Sequence, residues 1–382
     1  MVHQHGEAAL CAAGAGAPDH PHVCGSSIWG GTSRRRFLAS LAALGASSMI
    51  SIGGASAKPS SSTGIANKPG RVDVHHHFFP PPYLEPLREW GSRMGLGGLQ
   101  APQRDWSIPG AIEAMDQNGV ATAVLSISTP GVWFGDAEQA RHIARLCNDY
   151  AAQMGRDHRG RFGLFAATPM PDVEGSLREI EYALDVLKAD GIGLMTSYGD
   201  KWPGDPTFAP VFEELNRRKA VVYFHPLAAN CCGKLMPGVS PSLIEYPHDT
   251  ARAVVSLLLN GAFAKYTNIR FIFSHAGASI PVLAGRIANG TAHRKDLAQI
   301  APNGIEGELK KLHYDTANSA YRPTMAALLD FVPASQVLFG SDYPYLTIAQ
   351  NVEGMEKIHL TAAQRQAIDR GNAVRLMPRL KA

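Results

Sequence analysis

Two histidines in the first apolar run after residue 70 have the type and spacing that bind a divalent metal ion. His75 and His77 end the run RVDVHHH, which begins at Arg71. Side chains alternate between the two faces of a strand, so both imidazoles would point the same way and could reach one ion, whereas His76 would point to the other face. Taken alone, the cluster is equally well explained as a chance grouping or as a surface patch.

Three more residues of metal-binding type end later apolar runs. They are His225, which is followed by a proline, His275 within Ser-His-Ala-Gly, and Asp342 within Gly-Ser-Asp-Tyr-Pro. Each of them alone is more simply interpreted as a hydrogen-bonded polar residue of the core. A metal site therefore requires a fold that brings the ends of these runs together.

Eight short β-type runs alternate with stretches of helical period. The predicted strands span 71–78, 122–128, 162–168, 191–197, 220–226, 270–277, 312–317 and 337–344. The predicted helices span 109–118, 136–157, 174–189, 206–218, 241–265, 279–292, 321–331, 347–358 and 361–371. The strands are nearly continuously apolar, as expected when both faces are buried, so the pattern predicts an α/β fold, a (β/α)8 TIM-type barrel. An open doubly wound sheet is the alternative, but no glycine-rich phosphate loop follows the first strand.

Barrel enzymes place their catalytic groups at the carboxyl ends of the strands. In such a barrel the four histidines and the aspartate would meet at one rim, where core hydrogen bonding is a poor explanation for all of them at once. An ion held there with an open position could lower the pKa of a bound water or polarise a substrate oxygen. The connection 79–108 is expected to be an insertion over the barrel mouth.

The first 57 residues differ from the rest of the chain. Arg34 and Arg35 belong to the run SRRRFLA, which precedes a short apolar stretch at 41–52 and the small residues Ala-Ser-Ala ending at Ala57. These features predict a twin-arginine-type signal segment over 1–57, a linker over 58–70 and a single catalytic domain over 71–382. The stretch is too short to favour a membrane helix, so we expect a periplasmic or otherwise exported protein with no stable membrane anchor after cleavage.

The composition argues against one class of function, nucleic-acid binding. Of the 382 residues, 45% are hydrophobic and 18% are charged, and the net charge is +3. This is ordinary for a soluble globular protein, and the absence of a basic stripe or a known motif argues against nucleic-acid binding. Cys147 and the adjacent Cys231 and Cys232 are expected to be free thiols.

Several motifs together resemble the amidohydrolase superfamily. They are His-x-His at 75–77, Thr-Ser-Tyr-Gly at 196–199, Asp-Pro at 205–206, His-Pro at 225–226, Ser-His-Ala-Gly at 274–277 and Gly-Ser-Asp-Tyr-Pro at 340–344. The set is similar to the amidohydrolase-related branch, which includes 2-amino-3-carboxymuconate 6-semialdehyde decarboxylase and 6-methylsalicylate decarboxylase. The resemblance covers about residues 71–375 and does not specify a substrate.

The resemblance implies a metal site of defined composition. It assigns His75, His77, His225 and Asp342 as ligands of one divalent ion, usually Zn²⁺, with Mn²⁺ as the alternative. The fourth strand, 191–197, contains no lysine that could bridge two metals. By the same resemblance, His275 is free of the metal or a weak ligand of it, and acts on the substrate or on metal-bound water.

The resemblance also implies a contribution from a second subunit. Arg286 stands eleven residues after His275, the position from which a relative's arginine enters the neighbouring site to hold a substrate carboxylate. A homodimer is therefore expected, although a surface charge on a helix explains Arg286 equally well.

Two reactions fit the predicted site. In the first, a carboxylic acid substrate of aromatic or dienoic type loses CO2, with Asp342 or His275 protonating the carbon, while Tyr198 and Trp202 cover the flat substrate and Trp133 packs in the lid. In the second, a lactone or amide is hydrolysed with Asp342 as the base. An exported non-catalytic binding protein is a third, less favoured reading.

Three aspartates complete the expectations. Asp73 is expected to lie on the same face as His75 and His77 and to support their imidazoles. Asp249, near the start of the 241–265 helix, is expected to cap it. Asp315 either faces the rim or packs below it.

Overall fold

A closed barrel of eight parallel strands forms the body of the protein. The computed structural model describes residues 70–95, 97–233 and 235–381. In chain order, each strand pairs with the next. The strands are β1 (Arg71–His77), β2 (Val120–Ser126), β3 (Phe162–Ala167), β4 (Gly191–Met195), β5 (Val221–His225), β6 (Arg270–Phe273), β7 (His313–Asp315) and β8 (Val337–Leu338). The predicted (β/α)8 barrel is confirmed, whereas the predicted signal segment and nearly all of the predicted linker lie outside the described residues.

Hydrogen bonds between the first strand and the segment after the last strand close the barrel. The Val74 amide donates to the carbonyl of Phe339 at 2.9 Å, and the Asp342 amide donates to the carbonyl of His75 at 2.9 Å. Gly340 permits this approach, because a Cβ at that position would lie 2.8 Å from the His75 Cβ. The first strand and the segment after the last strand are thus in direct contact where both carry candidate ligands.

Helices surround the sheet and follow the predicted positions closely. Their bounds are α1 (Pro81–Arg93), α2 (Ala101–Arg104), α3 (Ile108–Gln117), α4 (Ala137–Asp157), α5 (Val173–Asp185), α6 (Ala209–Arg217), α7 (Pro241–Leu259), α8 (Ala262–Lys265), α9 (Ile280–Thr291), α10 (Leu297–Ile300), α11 (Gly304–Leu309), α12 (Arg322–Phe331), α13 (Ile348–Glu356), α14 (Ala362–Gln366) and α15 (Asn372–Leu376). The 79–108 connection, which sequence periodicity left without regular structure, contains α1 and α2. Among the described helices, none combines the length and the apolar character needed to cross a membrane.

Two layers of apolar side chains hold the barrel together. One fills the barrel interior with residues such as Val74, Phe165 and Tyr223, and the C-terminal residues Met377 and Leu380 pack against it. The other, larger layer lies between the strands and the helices. Burial of apolar surface on this scale is the main stabilising contribution to such a fold. The strand ends are thereby held on a rigid frame.

An irregularity in β1 changes which face Asp73 occupies. The pairing of β1 with β2 shifts between Asp73 and His76, as at a β-bulge, where one residue is added and alternation is interrupted. The Asp73 carboxylate accepts hydrogen bonds from His76 Nδ1 at 3.1 Å and Ser341 Oγ at 2.6 Å. The carboxylate makes no hydrogen bond to the imidazole of His75 or His77. The prediction that Asp73 supports these two imidazoles is therefore wrong.

The adjacent cysteines also differ from the prediction. Cys231 and Cys232 are joined by a disulfide, whereas Cys147 is a buried free thiol. The chain turns at 230–233, and this turn brings the two neighbouring sulfur atoms together. The prediction of a free thiol is therefore right for Cys147 and wrong for the pair.

Candidate active site

Four side chains from three strand ends converge at the carboxyl rim of the barrel. Ligand atoms of His75, His77, His225 and Asp342 all lie within 4.8 Å of one another, and all four residues are buried. The Nε2 atoms of His75 and His77 are 3.1 Å apart, and each lies 3.3 Å from Asp342 Oδ1. The structure thus brings together the four residues that the family resemblance assigned as ligands.

The donor set fits one divalent metal ion. Three imidazole nitrogens and a carboxylate oxygen are the ligands that Zn²⁺ and similar ions take in catalytic sites. His225 Nδ1 is buried and has no hydrogen-bond partner among the described residues. An unpaired buried nitrogen is costly, and a metal ion at the centre of the cluster would supply its partner. These residues therefore suit a metal rather than a purely hydrogen-bonded core.

Hydrogen bonds on the far sides of two imidazoles fix their orientation. His75 Nδ1 donates to Asp315 Oδ2 at 2.9 Å, and His77 Nδ1 donates to the carbonyl of Ser126 at 3.1 Å. Both bonds leave Nε2 as the nitrogen that faces the cluster, which is the usual arrangement around a metal-binding histidine. The sequence left the position of Asp315 open, and the structure shows it directly behind His75.

The electrostatics favour the metal-binding protonation state for His77, His225 and Asp342, but not for His75. Burial lowers the pKa of His77 and takes that of His225 well below its usual value, so both imidazoles are neutral. Burial would raise the pKa of Asp342, but His75, His275 and His77 hold it well below its usual value. Burial opposes charge on His75, yet Asp315 and Asp342 outweigh it and raise its pKa to about 10. A metal must therefore displace a proton from His75.

His275 and Asp342 face each other from strained backbone positions. His275 Nε2 lies 3.5 Å from Asp342 Oδ2, and His275 is partly exposed while the ligands are buried. Their φ angles are 54° and 67°, in the left-handed region that non-glycine residues rarely adopt. Such strain persists where surrounding structure enforces it, typically in functional sites. His275 is thus placed as a partner of Asp342, outside the group of four ligands.

A narrow, mainly apolar cleft adjoins His225. Its wall is formed by the ends of β2 to β5 and the loop after β2, and includes Trp133, Met195 and Tyr198. The Tyr198 hydroxyl accepts a hydrogen bond from the Met195 amide at 2.8 Å, which holds the ring in the wall. Trp133, expected to be lid packing, thus reaches the cleft. An aromatic or otherwise flat apolar group would suit these surroundings.

The two other predicted substrate-binding residues lie elsewhere. Trp202 is absent from the described cleft wall, and its indole nitrogen donates to Asp249 Oδ1 at 2.8 Å. Arg286, on α9, is exposed and has no hydrogen bond or ion pair with any described residue. Within a single chain, therefore, neither of them is brought to the ligand cluster.

Asp249 is a further correction to the sequence prediction. It lies inside α7, which begins at Pro241, and is fully buried, so it does not cap the helix. Its carboxylate instead accepts hydrogen bonds from Thr196 and Ser197 as well as from Trp202. The sequence suggested a helix cap because Asp249 lies near the start of a predicted helix. Its hydrogen-bond partners belong to a distant loop, which local sequence does not reveal.

We expect Asp315→Asn to weaken metal binding by about 10- to 100-fold, since it removes the carboxylate that orients His75 and raises its basicity. The dissociation constant of the apoprotein for Zn²⁺, measured by competition with a coloured chelator, checks this. Asp296→Asn is the control, because that carboxylate is surface-exposed and pairs with Arg294. An Asp315→Asn protein with the affinity of the wild type would show that the contact does not tune the site.

Comparison with known proteins finds a matching family model and relatives that are named as decarboxylases. The amidohydrolase family model matches residues 72–379. "Decarboxylase yanB" of Aspergillus niger is 36% identical over 329 residues, covering 81% of this chain and 88% of that protein. The "6-methylsalicylic acid decarboxylase" of Penicillium expansum is 33% identical over 323 residues, covering 81% and 97%.

A solved structure has the same fold. The dihydroxybenzoic acid decarboxylase of Polaromonas sp., crystallised with manganese and the inhibitor 2-nitroresorcinol, superposes with a TM-score of 0.72 at 23% identity, covering 82% of this chain and 98% of that chain. The family model spans nearly all of the described barrel and includes every residue of the ligand cluster. The chain therefore belongs to the amidohydrolase family, as the motifs at its strand ends indicated.

Proposed function

We propose that this protein is a divalent-metal-dependent carboxy-lyase that removes CO2, without oxidation, from an aromatic or dienoic carboxylic acid. The observation that carries the proposal is that Asp342, one of the four clustered ligands, faces His275 at the same rim. It supplies a metal-binding set and a proton-carrying pair at one rim. The two curated relatives described above, each more than 30% identical, are both named as decarboxylases.

The chain's own residues account for the steps of such a reaction. When bound, the metal would supply positive charge for a substrate carboxylate or adjacent hydroxyl oxygen. The apolar wall beside His225 would pack against the flat part of the substrate and exclude water. As the bond between the ring carbon and the carboxylate carbon breaks, its electron pair stays on the ring carbon and CO2 leaves. His275, or Asp342 once it has taken a proton from the substrate or from His275, then delivers a proton to that carbon, and solvent replaces the proton.

The decisive experiment compares two classes of substrate. The metal-loaded full chain is incubated with a panel of ortho-hydroxybenzoates and dienoic acids, and released CO2 is measured. A parallel panel of lactones is followed for ring opening, because a metal-dependent hydrolase would use the same ligands. We expect CO2 from at least one acid and no lactone turnover. Lactone opening without CO2 release would replace the decarboxylase by the hydrolase.

We infer that the resident metal is Zn²⁺, with Mn²⁺ as the alternative. Three imidazoles and one carboxylate suit Zn²⁺, and imidazole-rich sets are less typical of Mn²⁺. The related Polaromonas structure contains manganese, so the choice depends on metal availability as well as on ligands. Metal analysis of the purified protein, together with activity after reconstitution by each ion, distinguishes the two.

We propose that Arg286 serves the site of a second copy of the chain in a homodimer. Its side chain is exposed and without a described partner, and Val282, one turn earlier on α9, is 69% exposed. Arg286→Ala is expected to raise KM for a carboxylate substrate about 10-fold or more with a smaller change in kcat, since a charge-assisted hydrogen bond would be lost. Arg156→Ala, on α4, is the surface control, and an unchanged KM would exclude the role.

We also propose export through the twin-arginine route. The support is the signal-like pattern over 1–57 in the sequence. Cell fractionation with mass spectrometry of the mature N-terminus tests the proposal, and we expect a periplasmic or exported protein that begins near Lys58. An unprocessed protein in the cytoplasm would contradict it.

A further inference from the structure

His225 is held differently from the other two imidazoles of the cluster. His75 and His77 each have a close hydrogen-bond partner on the ring nitrogen that faces away from the cluster. For His225, Nδ1 has no partner among the described residues and is left for a metal ion, and Nε2 has only a long contact of 3.5 Å with Ser128 Oγ. A metal-binding histidine normally owes its orientation to such a partner. The orientation of His225 must therefore come mainly from its backbone.

Thr196 makes hydrogen bonds to the backbone at His225 and two residues after it. The Thr196 amide donates to the carbonyl of His225 at 3.1 Å, and the Leu227 amide donates to Thr196 Oγ1 at 3.1 Å. A further bond runs from Thr129 Oγ1 to the carbonyl of Pro226 at 2.7 Å. The end of β5 is thus fixed by hydroxyl groups from the loops after β2 and β4.

The carboxylate of Asp249 in turn fixes the Thr196 hydroxyl. Thr196 Oγ1 donates to Asp249 Oδ2 at 2.5 Å, and Ser197 Oγ donates to the same oxygen at 2.8 Å. A hydroxyl has a single hydrogen, and here it goes to Asp249, so the oxygen lone pair is left for the Leu227 amide. Without the carboxylate, the Thr196 hydroxyl could rotate and release that amide.

Each described side-chain contact of the Asp249 carboxylate is made by a group that can donate a hydrogen bond. Trp202 Nε1 donates to Oδ1 at 2.8 Å, and Arg252 Nη1 lies 3.9 Å from the same oxygen. The side chain is completely buried, so its hydrogen bonds cannot be replaced by bulk water. An asparagine of the same shape would turn an NH2 group toward one of these donors and leave it unpaired.

We propose that Asp249 is a positioning residue for the metal site, which acts through Thr196 to hold His225 in the geometry that binds the ion. The same carboxylate anchors the 196–202 loop, which carries Tyr198 into the cleft wall. The inference concerns the metal centre of the proposed enzyme and does not depend on which reaction the centre performs.

Metal affinity of the folded apoprotein tests the proposal directly. Asp249→Asn and the nearly isosteric Thr196→Val are each expected to weaken Zn²⁺ binding about 10- to 100-fold, the range typical for partners of metal ligands. Thr196→Ser keeps the hydroxyl and is expected to restore affinity to within about threefold of the wild type. The double variant Asp249→Asn/Thr196→Val should bind no more weakly than the weaker single variant, because both changes break one chain of contacts.

A second buried carboxylate provides the matched control. Asp190, which precedes β4 at the opposite end of the barrel, accepts a hydrogen bond from the Leu164 amide at 2.9 Å and pairs with Arg379. Asp190→Asn should lower Tm and leave Zn²⁺ affinity unchanged. Two results would overturn the proposal: Asp249→Asn with wild-type affinity and only a lower Tm, or Thr196→Val with wild-type affinity if Asp249→Asn does not fold. Because the readout is metal binding, such a failure would leave the decarboxylase assignment standing.

Discussion

Asp342→Asn is expected to lower kcat for CO2 release by about 10³-fold, since a general acid contributes about 10²- to 10⁴-fold and an amide cannot carry the proton. Asp342 lies within 3.5 Å of His275 and within 3.3 Å of two imidazoles, so no other described carboxylate can replace it in both contacts. Its strongly lowered pKa keeps it ionised, so it must take a proton from the substrate or from His275 before it can pass one to the carbon. The measurement is initial CO2 release at saturating substrate.

Metal loss must be separated from proton transfer in that experiment. The variant is assayed at a Zn²⁺ concentration that fills its site, as shown by metal analysis of the same sample. Asp342→Glu is the matched comparison, because it keeps the carboxylate and moves it by one methylene. A fully metallated Asp342→Asn protein with kcat within tenfold of the wild type would mean that Asp342 does not transfer the proton.

Removing the metal is expected to abolish catalysis and to destabilise the fold. The ligands are buried and converge on one point, so the ion binds the native state and not the unfolded chain. Binding at about 1,000 times the dissociation constant stabilises a protein by about 4 kcal/mol. Exhaustive chelation should therefore bring CO2 release to background and lower Tm, and one equivalent of Zn²⁺ or Mn²⁺ should restore both.

The His77→Ala variant shows whether the effect acts through this site. It removes a ligand whose side chain is completely buried, so its Tm should respond little to chelator or to added metal. Wild-type protein that keeps its activity after complete metal removal would refute metal dependence. Purified protein that holds less than stoichiometric metal, is indifferent to chelator and turns over neither panel would revive the less favoured hypothesis of a non-catalytic binding protein.

The ligand residues could be predicted because each of them ends an apolar run. Strand periodicity placed His75 and His77 on one face, and barrel architecture placed His225 and Asp342 at the same rim. The same reasoning also places His275 at the rim, and it was the family resemblance that separated His275 from the four ligands. The prediction that His75 and His77 share a face is correct despite the irregularity in β1. The shift in pairing lies between Asp73 and His76, and His75 and His77 still converge on one point.

The supporting contacts could not be predicted in the same way. The irregularity between Asp73 and His76 moves Asp73 from the imidazoles to Ser341, and no local pattern marks it. Asp249 meets the 196–202 loop only after α7 folds against the barrel. Such contacts join residues that are far apart in the chain and depend on tertiary packing. Asp315 had the clearest signal, since it ends the seventh strand like the ligands themselves.

The closure of the barrel between β1 and β8 also determines when the protein can acquire its metal. Two ligands, His75 and His77, belong to the first strand, whereas Asp342 follows the last strand and its amide donates to the carbonyl of His75 at 2.9 Å. During synthesis, the imidazoles leave the ribosome long before the carboxylate does. A growing chain can therefore offer only part of the ligand set, and the complete four-ligand site forms only when the segment after β8 closes the barrel against β1.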